Sequence, residues 1–347
     1  MRWLIRNKLK SPDPEIRQEA IDKLKVRAGV EDVHGFAKCL GDENALVRRA
    51  AVSAMIVLRQ TAAEPCIQAL LPWLKDQDFA LRGVAANALD LLGWRPATSE
   101  DRVLNAVAQG HFNSISFKEE SALDVLLPLL KYKSQSIRFA VAQTLEQAQF
   151  QDPRIIQPLI ELSKDAHLPV CITALQALSN SSDERRLPTM LAMLKTPAPQ
   201  ARAVAVEAIG KAGKPEYLGK ILPLLKDSNF EVRLAAIKAL GQLQAPDAFE
   251  PLVDMLSDAD TDVRKATIEG LARLQNPRSL KALLPMLIDP ESLVRHAAAN
   301  ALQIINPDWQ ASKEAQEWIP YLEESLKHDD YWVRDAAAKM LKRIRDL

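Results

Sequence analysis

The sequence predicts an all-α array of stacked helix pairs, and three observations carry that prediction. The segment Asp227 to Leu243, DSNFEVRLAAIKALGQL, recurs as DADTDVRKATIEGLARL from Asp258 and as DPESLVRHAAANALQII from Asp289, each copy 31 residues after the last. Self-similarity at such a period marks a repeat architecture. Within a copy the apolar residues recur at helical spacing, as in Val232, Ala235, Ala236, Ala239, Leu240 and Leu243, which is the wide stripe of an amphipathic helix. Glycine is scarce, with 11 residues, and aromatic side chains make up 5%, a composition that suits stacked helices better than sheets.

At 347 residues the chain exceeds what a single globular core usually holds. The repeat resolves the excess as one solenoid domain covering residues 1–347. Alignment on the Val-Arg step gives ten units, centred on Arg17, Arg48, Arg82, Arg138, Cys171, Arg202, Arg233, Arg264, Arg295 and Arg334. Their spacings are 31, 34, 56, 33, 31, 31, 31, 31 and 39 residues, so insertions precede the fourth and the last units.

The second helix of a unit is announced by an Asp six residues before the Arg, as at Asp42, Asp76, Asp165, Asp227, Asp258 and Asp289. A carboxylate there accepts backbone N–H bonds and meets the positive end of the helix dipole. Small residues three and six positions after the Arg, such as Ala205 and Ala208 or Ala236 and Ala239, let neighbouring helices approach closely. The first helix is shorter and rich in Leu. Pro72, Pro128, Pro223 and Pro285 lie ten residues before the Arg, where a helix bends or tightens. Pro158, Pro188, Pro251 and Pro320 come a turn earlier and are expected near the helix start, where proline is tolerated.

The insertion from Trp94 to Glu120 opens with a turn and offers Thr98 or Ser99 as N-cap to one extra helix closed by Gly110. Trp94 and Phe112 are placed to pack it on the array, although a loop on a solenoid face is also a place for recognition. In the second insertion, Pro307 to Trp318, the residues Trp309 and Trp318 are expected to cover the end of the core. Basic residues gather in the first unit, from Arg6 to Arg27, and in the last helix, from Lys339 to Arg345. Terminal repeats need a wettable outer face, which accounts for them.

These features resemble the HEAT repeat, and within it the short bacterial form related to phycobilin-lyase repeats, whose core is Asp-x-x-x-x-Val-Arg-x-x-Ala-x-x-Ala-Leu. The resemblance extends over nearly the whole chain. It implies a right-handed α-α superhelix whose second helices line the concave side. It also implies a polar ladder between adjacent units, here Asp227, Arg233, Asp258, Arg264, Asp289 and Arg295. Cys171 departs from the pattern, since the ladder Arg is missing while Asp165 is kept, and a weak joint or bend is expected there. The same resemblance implies a second function, a bilin-lyase-like subunit acting on a phycobiliprotein. It also raises a metal hydroxylase branch, which needs repeated His-Glu pairs, and none of the five histidines has Glu beside it.

No nucleophile motif, glycine-rich phosphate loop or metal-binding constellation is present, so no catalytic residue, metal or cofactor is assigned. Cys39, Cys66 and Cys171 are three, far apart, and include no Cys-x-x-Cys pair, which points to reduced, buried thiols. Lys plus Arg and Asp plus Glu both number 45, so there is no bulk attraction to nucleic acid or an anionic membrane. Nucleic acid binding through the basic ends is the disfavoured alternative. No run reaches the roughly 18 apolar residues of a membrane span, and the N-terminus lacks a signal-peptide core, so a cytoplasmic location is expected.

The candidate binding residues fall in two columns of the second helix. Five residues after the ladder position stand Asp22, Ser53, Asn87, Gln143, Gln176, Glu207, Lys238, Glu269, Asn300 and Lys339, all polar and of mixed charge. One residue after it, a turn away on the same face, stand Phe139, Ile172, Ala203 and Leu234 in four consecutive units, followed by Lys265 and His296. An apolar strip rimmed with polar groups is how an interaction site presents itself. The sequence therefore reads as a non-catalytic scaffold, expected to be a monomer, that holds a helix or extended segment of another protein in its groove.

Overall fold

The computed structural model describes residues 2–116, 121–148 and 152–345. Among them every regular element is an α-helix or a 3-10 helix, and the chain divides into two compact units, Met1–Thr144 and Leu145–Leu347.

In the second unit the second helices of successive repeats are Leu168–Ser179, Pro199–Ala212, Phe230–Leu243, Thr261–Arg273, Ser292–Ile305 and Tyr331–Arg345. The apolar stripe is the buried one: Val232, Ala236, Ala239 and Leu240 are at most 1% exposed. Ala205 and Ala208 are also fully buried, and the nearest approach lies beside them. A Cβ placed on Gly210 would stand 2.6 Å from Ala239 Cβ and 2.8 Å from its Cα, so at this crossing the helices are held apart by a hydrogen atom. One on Gly241 would stand 3.3 Å from the Gly270 Cα.

The helices start two residues later than the conspicuous Asp. Asn44, Asp78, Asn229 and Asp260 are the N-caps, each accepting from backbone N–H groups of the first turn. The Asp two residues upstream closes the turn before the cap, as when Asp227 accepts from Asn229 N–H at 2.9 Å and Asp258 from Asp260 N–H at 2.9 Å. Its remaining acceptor capacity is thereby free for the neighbouring repeat.

The first helices tighten where proline removes an N–H. Leu71–Lys75, Leu127–Lys131, Leu222–Lys226 and Leu284–Ile288 are 3-10 turns with the proline as their second residue. Pro158, Pro188 and Pro251 lie in the first turn of short helices. Pro320 does not: it sits inside the Lys313–Ser325 helix. The insertion has supplied extra helical residues ahead of it, so its ring falls in the middle of the element.

The first unit carries the earlier insertion. Thr98 caps the Ser99–Ala108 helix in a reciprocal capping box with Asp101, and Gly110 follows at φ 74°. Residues 117–120, which complete the insertion read from the sequence, lie outside the described residues. Trp94 packs against the core formed by Phe36, Met55, Leu70 and Leu89. Phe112 is buried and stacks on Phe79 at 6.3 Å. In the second unit Trp309 and Trp318 are both buried at the Pro307–Trp318 insertion. The three thiols are free and buried.

Candidate functional site

The polar ladder is built where Arg17, Arg202, Arg233 and Arg264 each hold two loops, while Arg48 holds only its own, through the carbonyls of Asp42 and Glu43. Arg233 Nη1 donates to the Asp227 carbonyl of its own loop at 3.0 Å, while Nε and Nη2 form a fork to the Asp258 carboxylate of the next repeat, each at 2.8 Å. Arg202 repeats this with Thr196 O and Asp227, and Arg264 with Asp258 O and Asp289. In the first unit Arg17 makes the same fork to Asp42. Bidentate geometry of this kind is available to Arg and not to Lys. Arg295 holds only the near half of the pattern, donating to the carbonyls of Asp289 and Pro290, because the insertion places His328 where the next Asp would stand.

These pairs shift the carboxylates. The fork from Arg17 holds Asp42 below the usual range. For Asp227 and Asp258 burial works upward, and the hydrogen bonds from Arg202 and Arg233, together with the backbone N–H, outweigh it and leave both lowered.

Two rungs are irregular, and of their residues the sequence reading singled out only Cys171, not Thr196 or Tyr132. Cys171 replaces the ladder Arg and its thiol donates to Ser163 O at 2.8 Å. Thr196 occupies the Asp column of the next repeat, so both halves of that rung are absent together and no carboxylate is left buried without a counter-charge. In the first unit Tyr132 fills the Asp column. Its hydroxyl accepts from Phe79 N–H at 3.0 Å and donates to Gln77 O at 2.5 Å. Phe79 meets Tyr132 edge-on and stacks on Phe112, tying the insertion to the rung.

The binding columns separate by exposure. Gln176, Glu207, Lys238, Glu269 and Asn300 are exposed, one from each of five successive helices. Ile172, Ala203, Leu234 and Lys265 are half-buried, and His296 is exposed. Phe139 and Gln143, both half-buried, belong to the first unit.

The structure brings four of these residues together at one place. Lys265 and Glu269 from the Thr261–Arg273 helix, with His296 and Asn300 from the Ser292–Ile305 helix, line a cavity of about 600 Å3. Ala272 and Arg273 extend the first wall, Leu293, Ala297, Ala301 and Ile304 extend the second, and Gln244 and Gln275 also line the cavity. Leu293 is 58% exposed and Ile304 69%, although each is a large apolar side chain.

Sequence reasoning missed Leu293 and Ile304 because they lie outside the two columns. The signal was there: two residues before the Arg, the preceding repeats carry Glu231 and Asp262, and nine residues after it, Gln242 and Arg273. Only in the Arg295 unit among these three are both positions apolar.

Among the described residues no helix is long and apolar enough to cross a membrane, and no cluster of three or more His, Cys, Asp or Glu side chains is placed to hold a metal ion.

Comparison with known proteins agrees on the repeat. A family model described as HEAT repeats matches residues 123–210 and 187–265, and one described as HEAT repeat matches residues 280–308. No curated protein matches the chain. Among solved structures, an engineered protein is similar at 19% identity and a TM-score of 0.46, over 99% of this chain and 98% of its own. The YibA protein of Escherichia coli is similar at 20% identity and a TM-score of 0.46, over 82% of this chain and 95% of its own. The complex of CpcE and CpcF of phycocyanin lyase from Nostoc sp. is similar at 17% identity and a TM-score of 0.43, over 64% of this chain and 94% of the compared chain.

Proposed function

This chain is a HEAT-repeat protein, and we propose that it serves as a non-catalytic scaffold holding a helix or extended segment of another protein along the second-helix face of its repeats. The observation that carries the reading is the exposed row Gln176, Glu207, Lys238, Glu269 and Asn300, in which consecutive helices each present one polar side chain. Glu207, Lys238 and Glu269 form no ion pair among the described residues, so their charges are available to a partner rather than spent within the stack. A repeat array gathers affinity from many such single contributions.

The test uses the immobilised full chain to capture a partner from cell extract, beside a variant carrying Glu207→Lys and Lys238→Glu. Both changes lie on exposed positions, so helicity and melting temperature are expected to stay put while capture falls at least tenfold. Equal capture of the same partner by both chains overturns the reading.

A further inference from the structure

The cavity between the Thr261–Arg273 and Ser292–Ile305 helices has two unlike walls. The first presents Lys265, Glu269 and Arg273 at four-residue intervals, one helical turn apart, or roughly 6 Å each at 1.5 Å per residue. Neighbours so spaced on a helix commonly pair, yet none of the three forms an ion pair among the described residues. The second wall presents Leu293, Ala297 and Ile304, which span about 17 Å at the same rise, with the polar His296 and Asn300 among them. Its two ends are the large apolar side chains that face solvent. Two exposed apolar anchors three turns apart, beside a row of alternating charge without internal ion pairs, describe their complement.

We infer that this groove receives an amphipathic helix of about three turns from another protein, apolar toward Leu293 and Ile304 and carrying acid, base and acid at four-residue spacing toward Lys265, Glu269 and Arg273. The plus-minus-plus order reads the same in both directions, so the charge row selects the partner's composition and leaves its polarity to the apolar anchors. Helix-in-groove recognition uses anchors at this spacing, and alternating charge enforces a partner by rejecting the reversed pattern. A cavity of about 600 Å3 lies within the range that accepts several side chains. The inference rests on the scaffold reading and narrows it to one groove and one partner chemistry.

Two capped, alanine-rich helical peptides with the same leucine stripe test it, one with Glu, Lys, Glu at four-residue spacing on the flank and one with Lys, Glu, Lys. Fluorescence anisotropy against the full chain at about 50 mM salt is expected to give at least tenfold tighter binding of the first. A chain carrying Lys265→Glu, Glu269→Lys and Arg273→Glu should reverse the preference. Leu293→Asp with Ile304→Asp, at exposed positions, should lose both peptides with the circular dichroism unchanged. Equal binding of the two peptides, binding of neither, or a preference that survives the charge-swapped chain overturns the inference. Any of these leaves the scaffold reading standing if the capture of a cellular partner still depends on Glu207 and Lys238.

Discussion

Gly210 shows how a single missing methyl group sets a helix crossing. In an ordinary helix interior, Gly→Ala is stabilising by about 0.5–1 kcal/mol. Here the new Cβ would stand within 2.8 Å of the Ala239 main chain, so Gly210→Ala is expected to destabilise by about 1–3 kcal/mol through overpacking. Gly219, also helical, has nothing within 4 Å of the same atom, and Gly219→Ala should be neutral or slightly stabilising. Denaturant midpoints of the two variants, moving in opposite directions, would confirm that approach distance and not helix propensity decides. The thiols give a second reading at this scale. Burial raises Cys39 and Cys66 to about 11, so neither is a thiolate at neutral pH. Alkylation of the native protein at pH 7 should leave both unmodified, and labelling should appear on unfolding.

At the level of elements, the rungs make stability depend on acidity in a definite direction. Asp42, Asp227 and Asp258 have folded values below those of an unfolded carboxylate. Their contribution is therefore complete above the unfolded value of about 4 and is lost as the pH falls through the lower folded values. Urea midpoints should hold steady near neutrality and decline below about pH 4, with a shallower decline in Asp258→Asn. Arg233→Met removes a fork to a carboxylate whose side chain is 9% exposed, and a loss of about 2–4 kcal/mol is expected from the stranded charge. The periodic elements were legible because period and stripe are local: the Phe230–Leu243 helix, the Thr98 cap and the 3-10 turns at Pro72, Pro128, Pro223 and Pro285 all follow from nearby residues. What escaped depends on two distant residues at once. Tyr132 is read correctly only beside Phe79, and Thr196 only beside Cys171. Pro320 is displaced by an insertion whose helical content its own neighbourhood does not announce. Of the groove, Lys265, Glu269, His296 and Asn300 lay in the columns read from the sequence, whereas Leu293 and Ile304 needed comparison between repeats at positions that are charged or polar in the two preceding units.

For the molecule as a whole, stacking of nearest neighbours makes stability additive along each unit. Damage at one rung should stay near it. In Arg233→Met, hydrogen exchange is expected to quicken in the Phe230–Leu243 and Thr261–Arg273 helices while the Met1–Thr144 unit keeps its protection. Uniform acceleration throughout would show cooperativity beyond neighbours. The balanced charge, with 45 cations and 45 anions, gives partners no long-range pull, so the recognition proposed at the groove of Lys265, Glu269 and Arg273 would rest on local pattern.

The rung at Cys171 and Thr196 carries a consequence for how such a chain tolerates substitution. Restoring only Asp at 196 would strand a charge, and restoring only Arg at 171 would crowd a thiol-sized space, so each lone step descends. Taken together, Cys171→Arg and Thr196→Asp should interact favourably in a double-mutant cycle, by about 1–3 kcal/mol. A coupling of that sign would make the pair, rather than either residue, the unit on which substitution at this rung is favoured.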